Sequence, residues 1–430
     1  MHQVITRVEP AMDSGPTDLD ICDAYIYLLG RLLILRQEQV DFRFEGFRWN
    51  QIHHREAGRV SLPDPDLDVA RSEAWIAIDE HSCTMLHLPE IRGRYYTAQI
   101  INGWGETIAN INDRTSPDHP SGQIALCLAG SRPPIPPGAA RVDLSSRKSR
   151  CVVRIELGPD AGVAAALQHQ IEVHAYGEPV IAPTVMTPLF GNDGLPGAGI
   201  FEQAEQILAS EADLNPGMER VQRKVRAAAA VLRHDTDARG RTETAIERGA
   251  WPRLARRVSN LGIRGRGWIR PKLAGTYGED WLSRTATHLS RPWSNELSEV
   301  VYFTTGTDQP LDGGRPYTLT FPSGDLPGSH VRYFWSMTAL DAADQRVMPN
   351  GKHRFALTSH SGLQRSHDGS LTLCLGPARP AAVPDANWLP TLGGRHYLLT
   401  WRSYGPDALT RNGAWFPPSV DWPGVPRSAA

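Results

Sequence analysis

The 34 prolines and 39 glycines of this 430-residue chain constrain its fold more than any other feature. Spread at that density, they cut the chain into short elements joined by turns and leave little room for long helices. Between the breaks lie short runs of period-two alternation: Ala74 to Ile78, Thr84 to Leu88, Tyr95 to Ile101 and Cys151 to Leu157. In the last of these, Cys151, Val153, Ile155 and Leu157 face one way and Arg154 and Glu156 the other. The same pattern returns at Tyr317 to Phe321, Arg332 to Leu340, Leu371 to Leu375 and Tyr397 to Tyr404, with turn signals at Asp312-Gly313-Gly314 and Asp368-Gly369-Ser370. Ser131 to Gly138 reads as a proline-rich loop.

Helix is confined to two places. Asp20 to Gln39 carries an apolar stripe of Tyr25, Leu28, Leu29, Leu32 and Leu35, with Asp18 or Asp20 as the expected cap. Phe201 to Ala212, Met218 to Arg233 and Thr242 to Leu261 form a helical middle, followed by the basic run Arg253, Arg256, Arg257, Arg264, Arg266 and Arg270, read as a solvated helix face. The predicted fold class is therefore mainly β with α: two β-sandwich or jelly-roll-like domains plus a helical segment between them. The expected division is a helical segment over 1–45, a first sandwich over 46–180, a helical connection over 181–272 and a second sandwich over 273–430.

Composition narrows the function. A net charge of −2 supplies no global field toward nucleic acid or an anionic membrane, so neither is an expected partner. Ala24 to Leu35 is interrupted by Arg31 and is too short to span a bilayer. Met1 to Asp20 has no apolar core of a secretory signal. Cys22, Cys83, Cys127, Cys151 and Cys374 are odd in number and widely spaced, so no disulfide framework or zinc motif is signalled. A cytoplasmic protein is expected, and association into a homo-oligomer stays open. The sequence contains no nucleophile elbow, zinc helix or phosphate loop. Gly262, Gly265 and Gly267 lack the strand–turn–helix setting of a dinucleotide site, and no cofactor is expected.

The remaining chemistry gathers in two stretches. Asp66 and Asp68 are candidate acid–base carboxylates, followed by Arg71 and Trp75. Arg94, Tyr95 and Tyr96 lead into a strand, and Arg114 lies in the next loop. Their guanidinium forks and phenols suit an anionic group or a proton relay. Asp66, Asp68, Arg71 and Tyr96 are the catalytic candidates; Trp75, Arg94, Tyr95, Arg114, Trp335 and Trp388 are the ligand-binding candidates. Trp335, in an alternating strand, reads more readily as core. His53, His54, Asp66 and Asp68 form a weaker candidate metal set, against the plainer reading of a polar surface loop.

The chain resembles the paired domains of unknown function 1254, N-terminal, and 1214, C-terminal. The N-terminal likeness runs through Asp23 to Tyr27, Pro65 to Trp75, Leu88-Pro89, Gly93 to Tyr96, Trp104 and Arg114-Thr115. The C-terminal likeness runs through Tyr277 to Arg284, Leu311 to Gly313, Tyr317, Phe321 to Gly324, Phe334 to Thr338, Asp368 to Leu371, Asn387 to Pro390, Arg402 to Tyr404 and Gly413 to Trp415. The resemblance implies two β-sandwich-like domains with helices between them, and little chemistry. Where members of that family usually read Asn-x-Asp-Thr-Leu-Tyr-Ser, this chain reads Asp66 to Ser72, with a carboxylate in place of the amide and Arg71 in place of the tyrosine. Three functions fit these features: a cofactor-independent hydrolase, lyase or isomerase acting on a small organic molecule; a carbohydrate or small-molecule binding module; and a structural role.

Overall fold

The computed structural model describes residues 15–57, 65–235, 237–306 and 309–421. Most of the N-terminal stretch read for a secretory signal lies outside them.

The first sandwich packs a five-stranded sheet on a four-stranded one. The five run in the order His53–His54, Val69–Ala77, Lys148–Glu156, Tyr96–Ile101 and Thr107–Ile111, all antiparallel. The four run Ala140–Leu144, Gly122–Leu128, Cys83–Leu88 and Glu172–Tyr176, with the first pair parallel. Alternation decides what fills the space between them. Ala70, Ala74, Ile76, Ala98, Ile100, Cys151, Val153 and Ile155 from one sheet meet Leu86, Leu88, Ile124 and Leu126 from the other. Five of these strands (His53–His54, Thr107–Ile111, Gly122–Leu128, Ala140–Leu144 and Glu172–Tyr176) are not marked by the alternation read from sequence. Glu172–Tyr176 buries only Val173 and is held by its edge position, which a local pattern does not report.

The second sandwich has a sheet ordered Gly262–Gly265, Trp268–Pro271, Val300–Thr305, His396–Tyr404, Trp335–Asp341 and Ala356–Thr358, with Leu311–Asp312 also pairing to His396–Tyr404. Tyr317–Phe321, Leu371–Gly376 and Trp388–Pro390 form the opposing sheet. The segment expected to stay helical to 272 therefore turns into a hairpin at Gly262 and joins this sheet. The basic run divides accordingly. Arg253 pairs with Asp23, and Arg270 is buried, donating to the carbonyls of Thr410 and Arg411 at the end of a short helix. Those two arginines are not on a solvated face.

The Asp18–Phe44 helix is the axis of the molecule. Its cap is Thr17, which forms a capping box with Asp20, rather than Asp18 or Asp20 themselves. The expected apolar stripe is instead burial on every side from Ile21 to Leu35, the pattern of a central helix. Helices Met218–His234 and Trp281–Ser290 pack along it, among others. Gly30 allows the closest approach: a Cβ there would stand 2.5 Å from Thr285 Oγ1.

Candidate functional site

The outer face of the five-stranded sheet is not solvent-facing, although its residues read as polar. Arg71, Glu73, Trp75, Arg150, Arg154, Glu156, Tyr95 and Gln99 alternate with the core residues and so share that face. One end lies under the first helix and the other against the second sandwich, whose matching face carries Val300, Tyr302, Phe334, Ser336, Arg402 and Tyr404. Two polar clusters result.

Under the helix, cations match carboxylates. Arg150 bridges Asp41 and Glu73, with Phe47, Trp75 and Trp293 around its guanidinium at 4.6–5.4 Å. The Trp75 indole donates to Asp41 at 2.9 Å. Arg55 and Arg71 also reach Glu73. Burial pushes the Glu73 carboxyl up, but Arg150, Arg71 and Arg55 together override it and hold it well below the usual carboxylate range.

Between the domains the balance is reversed. Asp66 and Asp68 come from the segment just before Val69–Ala77; Ser336, Arg402 and Tyr404 come from two neighbouring strands of the second sandwich. Ser336 Oγ donates to Asp68, Arg402 stands 3.9 Å from Asp68, and the Tyr404 hydroxyl donates to Asp66 at 3.1 Å. Arg402 also donates to the Thr338 hydroxyl and to the Pro65 carbonyl. Burial and the neighbouring Asp66 charge push the Asp68 carboxyl up to about 6, against the opposing pull of Arg402 and Ser336. Burial, with Asp66 and Asp68 behind it, raises the Tyr404 phenol well above its ordinary value, so it stays a donor.

Two further pairings frame this group. His360 Nε2 meets Glu156 Oε1 at 2.7 Å, and Glu156 accepts the Tyr95 amide at 2.7 Å. Phe334 stacks on Tyr404 at 4.1 Å. On the other side Arg114 pairs with buried Glu299, and its guanidinium lies 5.2 Å from the Tyr95 ring and 5.0 Å from the Tyr333 ring. The Tyr95 hydroxyl donates to the same Glu299 at 3.2 Å.

Of the residues singled out from sequence, the fold thus brings Asp66, Asp68, Tyr95 and Arg114 to one domain junction, with Arg71 half-buried on the same sheet face. The rest go elsewhere. Tyr96 turns into the first sandwich core and donates to the Pro120 carbonyl, because it alternates with Tyr95. Arg94 donates to the carbonyls of Glu156 and Leu157. Trp75 belongs to the Arg150 cluster. Trp335 stacks on Trp401 at 4.3 Å inside the second core, and Trp388 donates to the Gly376 carbonyl in the three-stranded sheet. His53 stacks on Phe47 and His54 meets Ser72 at 2.8 Å; among the described residues no group of three histidine, cysteine or acidic side chains is placed to hold a metal ion.

Ser336, Arg402, Tyr404, Glu299 and His360 were missed. A signal existed for two of them. In Tyr397 to Tyr404, Arg402 and Tyr404 sit at alternate positions opposite Leu399 and Trp401, so a charge and a phenol share the face turned away from the core.

Residues 49–175 match the family model described as Protein of unknown function (DUF1254), and residues 299–408 match the one described as Protein of unknown function (DUF1214). Asp23 to Tyr27, Tyr277 to Arg284 and Gly413 to Trp415 lie outside both spans. No curated protein matches the chain. The crystal structure of the VPA0106 protein from Vibrio parahaemolyticus is similar with a TM-score of 0.62 at 18% identity, over 94% of this chain and all of that one. An uncharacterised protein from Burkholderia cenocepacia is similar with a TM-score of 0.42 at 12% identity, over 89% of this chain and 84% of that one. The first likeness concerns fold.

Proposed function

From the premise that the chain belongs to the family that pairs these two domains of unknown function, we propose that the domain junction is an acid–base site acting on a small organic molecule by hydrolysis, elimination or isomerisation. One observation carries the reading: Asp68 is buried at the junction beside a second carboxylate, with Ser336 and Arg402 as its neighbours, and burial and the Asp66 charge together push its carboxyl up to about 6. A proton carrier works best when its pKa lies near the operating pH, because both forms are then populated. The usual aspartate, near 3.8, is a poor acid and a weak base at neutrality.

Each neighbour has a part in this reading. Asp68 gives or takes the proton. The Ser336 hydroxyl fixes its carboxylate. Tyr404, kept protonated, and Arg402 are donors for charge developing on an oxygen. Arg71, half-buried and paired with Glu73, would meet an anionic group of the substrate. A cytoplasmic setting is supported by the five free thiols of the structure.

The test is a panel of small hydroxy acids, lactones and enolisable ketones, scored for thermal shift and for turnover by proton NMR. For any compound turned over, Asp68→Asn is expected to lower turnover by at least ~10²-fold while leaving its thermal shift largely intact. The wild-type rate is expected to change over a limb centred near 6. Full turnover in Asp68→Asn would remove Asp68 from the mechanism.

A further inference from the structure

The four-stranded sheet of the first sandwich has an outer face that the proposed chemistry does not use. Cys83 begins the Cys83–Leu88 strand and Cys127 lies near the end of Gly122–Leu128. The two strands are antiparallel, with Thr84 opposite Leu126 and Met85 opposite Ala125. That register sets Cys83 opposite Cys127. Directly opposed residues of an antiparallel pair point to the same face, with Cα atoms about 4.5 or 5.5 Å apart according to the type of pair. Both separations fall within the roughly 4.4–6.8 Å that a disulfide spans. Leu86, Leu88, Ile124 and Leu126 take the core side, so Cys83, Met85, Ala125 and Cys127 form their own small apolar cluster on the other, covered by Ile135 of the proline-rich loop and Ala139 just after it.

We propose that Cys83 and Cys127 are a cross-strand disulfide site, oxidised as a pair by a small-molecule disulfide of the glutathione class.

The surroundings assign an order to the two thiols. Burial raises both, Cys83 to about 12 and Cys127 less far; the Arg141 guanidinium opposes the rise at each, and the Cys83 S–H, by hydrogen-bonding Cys127, favours the Cys127 thiolate. Cys127 is the attacking sulfur. Its thiolate displaces one glutathione thiolate from the oxidant and becomes a mixed disulfide. Cys83, having lost its proton, then attacks the Cys127 sulfur and expels the second glutathione. Two protein thiols are oxidised, one glutathione disulfide is reduced to two glutathiones, and the two protons go to the released thiolates. Both cysteines are fully buried, and the Cys83 thiol faces the Pro134 carbonyl at 3.8 Å. Exchange therefore waits on the 131–138 loop lifting, so the pair is slow to oxidise when folded and fast when the chain folds under oxidising conditions.

The experiment incubates the full chain in glutathione buffers of rising disulfide fraction, quenches by alkylation under denaturing conditions and maps peptides by mass. One disulfide is expected, joining Cys83 to Cys127, with Cys22, Cys151 and Cys374 alkylated. Refolding in the same buffers is expected to reach that product sooner than incubation of the folded chain. The oxidised form is expected to melt about 5–10 °C higher, since the bond restricts the unfolded chain. Cys83→Ser keeps Cys127 and is expected to trap glutathione on it; Cys127→Ser is expected to trap much less on Cys83. The proposal is overturned if both thiols stay alkylatable in the most oxidising buffer after refolding, or if the bond that forms joins other cysteines. Equal trapping in the two serine variants would overturn the assigned order of attack.

Discussion

The Arg150 cluster and the Asp68 cluster share one face of one sheet yet solve the problem of buried charge in opposite ways. Around Glu73 three arginines overwhelm the desolvation of a single carboxylate, and its proton is held off. Around Asp68 a second carboxylate adds to desolvation, Arg402 stands 3.9 Å off, and the proton is kept to about pH 6. The first arrangement fixes the helix to the sheet. The second leaves a group whose charge is undecided near neutrality, which stability alone does not favour and which proton transfer requires.

The largest difference between the two clusters rests on Arg150. Arg150→Met leaves Asp41 and Glu73 buried without their shared cation and is expected to cost about 3–5 kcal/mol, read by urea denaturation. A loss below about 1 kcal/mol would mean that the cluster does not hold the helix down.

Asp68 should behave in the opposite sense. Its folded pKa lies above the unfolded value, so its ionisation destabilises the fold: the cost is absent below about pH 4, grows as pH rises, and is complete above about 6. The rise from 3.8 to about 6 corresponds to about 3 kcal/mol. Asp68→Asn is therefore expected to stabilise the protein by up to that amount at pH 8 and by almost nothing at pH 4, in paired denaturation curves. A loss of stability at pH 8 would show that the carboxylate is structural there. Glu73 contributes the other way, stabilising at neutral pH and losing that contribution in acid.

Two smaller changes sharpen the account. Asp66→Asn puts back the amide usual in the resembled family, removes the like charge beside Asp68, and keeps an oxygen for the Tyr404 hydroxyl. The midpoint of the pH-dependent stability is expected to move down, with a gain of about 1 kcal/mol at pH 8. Ser336→Ala removes a donor to the ionised form. It should move the midpoint up and cost about 1 kcal/mol at pH 8, with little effect at pH 4. An unmoved midpoint in both variants would detach the pH dependence from Asp68.

Much of the fold was legible because alternation and turns are local. Tyr96–Ile101 and Lys148–Glu156 lie within a few residues of the alternating runs that mark them, whereas the run Ala74 to Ile78 marks only the later part of Val69–Ala77 and leaves out Arg71 and Glu73; Trp335, a ligand-binding candidate that also reads as core, lies in the core. Tyr95 and Tyr96 mark where the reading stopped short. Tyr96, Ala98 and Ile100 share one face while Thr97 and Gln99 share the other, so alternation sends Tyr95 to the polar side and Tyr96 to the core, although the two aromatics are adjacent in sequence. Arg154 and Glu156 were assigned to the correct face, but what covered that face was not visible.

Which residues alternate, where the chain turns, and that Asp66 and Asp68 stand together in a segment of unusual charge can all be read from local order, because these depend on neighbours a few positions away. The tertiary structure alone decided that Ser336, Arg402 and Tyr404 meet those carboxylates, and that the first helix is buried all round. The first depends on one sandwich docking against the other, and the second on helices such as Met218–His234 and Trp281–Ser290 packing along the first one, both across hundreds of residues. The titration of Asp68 follows from that docking, since desolvation and the nearness of a second charge are properties of the space around a carboxylate.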